Sequence, residues 1–253
     1  MPADFTRDDS VRVVLLDIEG TTTPIEFVTD VLFPFARARL RAFLEERRAA
    51  DVDVQGDLEG LRRELAREAA GAERPPAWRD EPEGARIDSA VDFVHWLMDR
   101  DRKTTALKSL QGRIWEDGYR VGELRGQVYP DVPRALERWR KQGRRCAIFS
   151  SGSVLAQRLL FANSTAGDLT AWIDAYFDTS VGPKREAASY RRIATALGEP
   201  LEVVLFVSDV EEELYAARDA GMRTAVCVRA ELPGVPRHPV VRSLEAVLPV
   251  TRS

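Results

Sequence analysis

The sequence predicts an α/β protein, a doubly wound parallel sheet with an inserted helical domain. Three observations carry that expectation. Short apolar runs without polar alternation end in small or acidic residues, as buried parallel strands do. Amphipathic stretches with helical spacing lie between these runs. The first two runs also close 133 positions apart, at Asp17 and Ser150, whereas a βαβ unit needs about 30 residues.

The first expected strand is Val13–Leu16, before Asp17. The surplus that follows reads as helices over Phe27–Arg48, Asp57–Ala70, Asp88–Asp99 and Thr104–Glu116, with a Pro-, Gly- and acid-rich loop at Glu73–Gly84. Val91, Val94, His95 and Met98 share one helical face. This reads as a helical cap domain over residues 28–125, inserted into a Rossmann-like core of residues 1–27 and 126–253. Three more strands are expected at Cys146–Phe149, Val203–Val207 and Thr224–Val228. The helices between them run over Asp131–Gln142, Ser153–Phe161, Arg185–Leu197 and Glu211–Ala220. The first has Pro133 in its opening turn, and Gly143, Gly198 and Gly221 serve as stops. In doubly wound sheets ligands bind at the carboxyl ends of the strands, which is where Asp17, Ser150 and Asp209 fall.

The 253 residues, 44% apolar and 31% charged, suit a globular chain that buries a full core. No apolar stretch approaches the roughly 18 residues of a membrane span, and Met1–Ser10 has no apolar signal core. The expected location is the cytoplasm. A net charge of −4 with interspersed signs argues against a nucleic-acid binder. Of 37 basic residues four are lysine (Lys103, Lys108, Lys141, Lys184), leaving 33 arginines, and Arg-rich stretches such as Arg37–Arg48 read as solvated helix faces. Cys146 and Cys227 read as buried thiols of a reducing compartment. The five tryptophans (Trp78, Trp96, Trp115, Trp139, Trp172) read as core residues, and His95 and His238 as packing or surface residues.

The chemistry gathers at the strand ends. Asp17, in Asp17-Ile18-Glu19-Gly20-Thr21, is placed to attack phosphorus in line and form an acyl phosphate that water resolves. Glu19, two residues on, can shuttle the proton of the leaving oxygen. Asp17 and Asp209 make an oxygen-rich pair suited to Mg²⁺, which takes few carboxylates alongside water and phosphate oxygens. Ser150-Ser151-Gly152-Ser153 opens a helix whose hydroxyls and N–H groups can hold phosphate, and Lys184 is a point charge for the same group. Each signal alone has an ordinary explanation: a loop acid, a helix cap, a surface lysine. Glu211-Glu212-Glu213 most simply favours a helix N-terminus, with Glu213 as metal support the weaker reading. The four signals in their order, strand-DxEGT, strand-SSGS, Lys and strand-SD, make a stronger one.

That set resembles the haloacid dehalogenase-like superfamily of aspartate-nucleophile phosphatases. Most members carry aspartate at the position of Glu19, and the departure narrows the match. Leu15–Ile25, with Phe27-Val28 and Leu32-Phe33-Pro34, is similar to the enolase-phosphatases of methionine salvage (acireductone synthases). So are Asp101–Lys108 and Leu110-Gln111-Gly112, Ser150–Val154 with Gln157 and Leu159–Phe161, Tyr176–Thr179, Lys184, Ser189-Tyr190-Arg191 and Ser208-Asp209-Val210. The likeness spans nearly the whole chain and is weak at Asp51–Gly84 and beyond Glu231.

The resemblance implies two reactions on 2,3-diketo-5-methylthiopentyl 1-phosphate, enolisation and then dephosphorylation to the acireductone 1,2-dihydroxy-3-keto-5-methylthiopentene, with Mg²⁺ as cofactor. It implies Asp17 as nucleophile and metal ligand and Glu19 as acid/base and metal ligand, through side chain or backbone carbonyl. Asp209 would be a metal ligand, and Ser150, Ser151 and Lys184 would hold phosphate. The enolisation base stays open between Glu19 and a cap residue. The partner implied is this small phosphorylated diketone, with neither nucleic acid nor membrane, the chain acting as a monomer. Two alternatives stand: a capped phosphatase for another small ester, and a non-catalytic phosphoacceptor module, which has no use for so large an insertion.

Overall fold

The structure is a computed structural model that describes residues 10–230, 235 and 237–249. The amino-terminal stretch read above as lacking a signal lies, apart from Ser10, outside the described residues. Among the described residues, no helix is long and apolar enough to cross a membrane. The chain divides into two compact units, residues 1–28 with 125–253, and residues 29–124.

The first unit is built on a six-stranded parallel sheet: β1 Val13–Leu16, β2 Arg145–Phe149, β3 Ala175–Phe177, β4 Val204–Ser208, β5 Arg223–Cys227 and β6 Val240–Val241, in the order β3-β2-β1-β4-β5-β6. The four expected strands are the central ones, wholly or almost wholly buried, which is why their sequences are apolar without alternation. The edge strands β3 and β6 were not expected. They span three and two residues and are only partly buried, too short to leave a periodic signal. Val203 closes a 3-10 turn, so β4 begins one residue late and includes Ser208.

The core helices are α5 Asp131–Lys141, α6 Val154–Ala162, α7 Ala187–Leu197 and α8 Glu211–Ala220. Helices α7 and α8 end at Gly198 and Gly221 in left-handed conformation, as the glycine stops predict. Val13, Leu15, Phe149, Phe206, Tyr190, Ile193 and Leu214 share one core cluster beneath α7 and α8. Cys146 and Cys227 are buried free thiols; burial pushes the Cys227 thiol up to about 11 and Cys146 higher still, so neither is reactive. Only Trp115 and Trp139 of the five tryptophans are buried; Trp78, Trp96 and Trp172 keep part of their rings in solvent.

The second unit holds α1 Phe33–Arg47, α2 Val52–Glu68, α3 Glu83–Met98 and α4 Thr105–Arg120, with a π-helical turn over Phe27–Leu32 leading into α1. Helix α2 starts earlier than expected because Asp51 caps it, accepting from the N–H groups of Asp53 and Val54. Thr104 caps α4 the same way through Leu107. Arg37, Arg39 and Arg41 on α1 are exposed, while Arg47 makes a two-oxygen pair with Asp117 of α4.

His238 is buried, its Nδ1 2.8 Å from the Thr224 hydroxyl and its ring 5.0 Å from that of Tyr215. Burial, then Arg218, hold its pKa below the usual histidine value, against the opposing pull of Glu211. The folded protein therefore keeps His238 neutral where the unfolded chain takes up a proton. Its contribution to stability is full above pH about 6.5 and declines as pH falls below it. His238→Asn should flatten the fall in Tm between pH 7 and 5 relative to the parent chain, and equal slopes would refute the assignment.

Candidate active site

The order of the strands creates the site. The chain runs outward from β1 to β2 and β3, then returns to place β4 on the other side of β1, so the topological switch lies between β1 and β4. The register pairs Leu16 with Val207, which sets Asp17 beside Ser208 at the carboxyl edge. Asp17 is 3% exposed. Its Oδ1 accepts from its neighbour's amide, Ile18 N, at 2.7 Å and from Lys184 Nζ at 2.6 Å, and its Oδ2 lies 3.2 Å from the Ser208 hydroxyl.

Lys184 comes from the loop between β3 and α7, 167 positions along the chain. Tyr190 donates its hydroxyl proton to the Lys184 carbonyl at 2.6 Å and Ser189 to the Pro183 carbonyl at 2.7 Å, so α7 pins the loop. The ammonium also reaches Glu213 Oε2 at 2.7 Å, and the Ser208 hydroxyl sits 3.1 Å from that oxygen. Burial alone would push the Lys184 pKa down, but Asp17 and Glu213 outweigh it and hold it above the usual lysine value. Glu213, passed over above in favour of a helix-terminus role, is thus a buried partner of the lysine. Burial, then the charge of Asp17, push its carboxyl up. The three consecutive acids hid it, because only the third faces inward on α8.

Asp209 closes β4. Burial, then Asp17, push its carboxyl up to about 7, and its Oδ1 is buried with no hydrogen-bond partner among the described residues. Gly20 makes room for it. At φ +70, a Cβ on Gly20 would lie 2.1 Å from Asp209 Oδ2. Gly20→Ala should therefore displace Asp209 and add about 1–2 kcal/mol of left-handed strain, lowering Tm and activity together; an unchanged melt and rate would show that the two segments do not meet.

The turn after Asp17 is tied down by its own backbone. The N–H groups of Thr21, Thr22 and Thr23 point to the Ile18 carbonyl, and Gly20 N donates to Thr23 O at 2.9 Å. Glu19, half-exposed, bridges Thr23 in this turn. Arg229, which follows β5, donates to the Thr21 carbonyl at 2.6 and 3.1 Å and to Asp131 Oδ2 at 2.8 Å. It also stacks over the Tyr129 ring at 4.2 Å. No sequence signal separates Arg229 from the other 32 arginines.

Ser150 follows β2, buried, and its hydroxyl accepts from Gly152 N at 3.1 Å. Ser151, half-exposed, makes no hydrogen bond among the described residues, and Ser153 caps α6 by accepting from Ala156 N. Asp17, Asp209, Lys184 and Ser150 therefore all follow sheet strands of one unit. Among the described residues no three histidine, cysteine, aspartate or glutamate side chains form a set that could hold a metal ion. The backbone of Glu19 pairs with that of Thr23 in the turn after Asp17.

Comparison with known proteins matches this geometry. A family model described as haloacid dehalogenase-like hydrolase covers residues 11–221. The enolase-phosphatase E1 of Synechococcus elongatus is 54% identical over 220 residues, 87% of this chain and 90% of its own. That of Klebsiella oxytoca is 46% identical over 239 residues, 94% and 97% of the two chains. Among solved structures, the UTR4 protein of Saccharomyces cerevisiae superposes with a TM-score of 0.73 at 31% identity, over 92% of this chain and 98% of its own. CbbY of Rhodobacter sphaeroides, solved with phosphate, shares the fold at a TM-score of 0.55 and 17% identity, over 92% and 95%. With a parallel sheet whose switch point gathers Asp17, Lys184 and Asp209, and relatives this close over most of its length, the chain belongs to the haloacid dehalogenase-like hydrolases and, within them, to the enolase-phosphatase E1 family.

Proposed function

We propose that the chain enolises 2,3-diketo-5-methylthiopentyl 1-phosphate and then removes its phosphate to release the acireductone of methionine salvage. The observation that carries the phosphoryl step is the buried Asp17 carboxylate, anchored through Oδ1 by Lys184 at 2.6 Å. Anchoring one oxygen orients the other for in-line attack. In this reading a bond forms between an Asp17 oxygen and phosphorus while the phosphorus bond to the substrate's C1 oxygen breaks, and Glu19 supplies the proton that oxygen takes. Water then attacks the acyl phosphate, Glu19 accepting its proton. Lys184, Ser150 and Ser151 hold the phosphoryl oxygens and offset their charge as it shifts. Glu19 is the base assigned to the C1 proton of the diketone.

The residues fit a magnesium ion. Lys184 pairs with Asp17 and Glu213, and Asp209, a third acid near Asp17, presents an unpartnered buried oxygen with its carboxyl pushed up to about 7. Asp17, Asp209 and the Glu19 carbonyl would hold the ion, which takes few protein carboxylates and would supply charge neutralisation to the phosphoryl group and polarisation to the diketone. We place the reaction in the cytoplasm, in keeping with the free buried thiols Cys146 and Cys227, and assign the active form to the monomer.

The test is product identification with the diketo phosphate under anaerobic conditions. The expected result is one inorganic phosphate per substrate, with the acireductone's ultraviolet absorbance, lost in excess EDTA and restored by Mg²⁺. A chain that hydrolyses unrelated phosphate esters well and leaves the diketone unenolised would overturn the substrate and keep the phosphatase.

A further inference from the structure

The Ser150–Ser153 loop joins β2 to α6. Three ties fasten it to the end of β3. Ser150 N donates to the Phe177 carbonyl at 3.1 Å. Val154 N, the first helical amide of α6, donates to Asp178 Oδ2 at 3.2 Å, while Asp178 Oδ1 accepts from Ser180 N at 2.9 Å. Gln157 Nε2 donates to both Gly152 O at 2.8 Å and Phe177 O at 2.9 Å. Side chains on a helix lean toward its N-terminus, so a residue in the first turn of α6 can reach back to the loop before it.

Gln157 is 1% exposed. Both of its partners are carbonyl oxygens, which only accept, so the amide must present its NH₂ to them. Its Oε1 is then left buried with no hydrogen-bond partner among the described residues. A buried oxygen in that state costs stability, which offsets much of what the two hydrogen bonds of Nε2 contribute. Stability alone therefore gives little reason for a glutamine here. Geometry does. In a planar trans peptide the carbonyl of one residue and the N–H of the next point opposite ways. Holding the Gly152 carbonyl against Gln157 turns the Ser153 N–H away from that side chain. Neither the Ser151 nor the Ser153 N–H donates a hydrogen bond among the described residues.

We propose that Gln157 is a positioning residue, which with Asp178 preforms the anion-binding face of the Ser150–Ser153 loop. This rests on the phosphate-binding reading of that loop. Gln157 touches no reacting atom and acts only through the Gly152–Ser153 peptide.

The experiment compares Gln157→Leu, Gln157→Met and Ser151→Ala with the parent chain, reading Tm, KM and kcat for the phosphate ester, and the competitive inhibition constant of inorganic phosphate. For the Gln157 variants the expected result is a rise of about tenfold in KM and in the phosphate constant, with a smaller change in kcat and a Tm close to the parent's, because the two lost hydrogen bonds and the lost unpaired oxygen offset each other. A purely structural glutamine would instead lower Tm and leave the phosphate constant alone. The methionine variant, which keeps the unbranched length, supplies the measurement if leucine prevents folding. An unchanged phosphate constant in a folded Gln157 variant, with a raised one in Ser151→Ala, overturns the role of Gln157 alone. Unchanged constants in both overturn the phosphate-binding reading of the loop itself.

Discussion

Asp17→Asn is expected to release phosphate about 10⁴-fold more slowly than the parent chain, or worse. Asparagine keeps the shape of aspartate, and its amide oxygen can still accept from Lys184 and Ile18. It has no anionic oxygen with which to form the acyl phosphate. The fold should survive, because Lys184 keeps Glu213 at 2.7 Å as a charge partner. The same variant separates the two half-reactions. Removal of the C1 proton needs no phosphorus nucleophile, so the conjugated enol phosphate should accumulate as a new ultraviolet absorbance without inorganic phosphate. Phosphate release close to the parent rate in a folded variant would end the assignment of Asp17 as nucleophile.

Lys184→Met carries the second large effect, and it falls on stability as well as rate. The side chains of Lys184 and Asp17 are 10% and 5% exposed, so the ion pair is shielded from solvent. Removing one partner of a buried pair costs about 3–5 kcal/mol, because the other charge stays behind uncompensated. Here two partners are left, Asp17 and Glu213. The sign with pH follows. Burial and the charge of Asp17 already raise the Glu213 carboxyl, and without the ammonium it rises further. The variant is then most destabilised above neutrality and recovers as pH falls and Glu213 takes a proton. Urea unfolding at pH 8 and pH 5.5 reads this directly, with a larger gap from the parent chain expected at pH 8. Turnover should fall by about 10²–10³ with KM raised, as for loss of a charge that supports both bound phosphate and transition state. Equal destabilisation at the two pH values would show that the lysine does not serve these carboxylates.

The amino-acid sequence by itself determined the four central strands and the residues that end them. A fully buried parallel strand must be apolar on both faces, so Val13–Leu16 and Cys146–Phe149 are readable from local composition. Asp17, Ser150 and Asp209 are readable because a polar residue that ends such a run lies at the sheet edge. Chain length between strands likewise announced the helical insertion, and the resemblance of four ordered motifs pointed to the family. Strands β3 and β6 escaped because a partly buried run of two or three residues has no period. What only the tertiary structure decided is how charge is shared at the site. Lys184 meets Asp17 across 167 positions, and Glu213 joins them through the inward side of α8. Arg229 reaches the Thr21 carbonyl across 208. Gln157 is set by two carbonyls, one of them on a strand edge. Local pattern reports burial and periodicity, which a residue shares with its neighbours. A hydrogen bond or ion pair across the sheet depends on strand order and register, and these exist only once the chain has closed on itself.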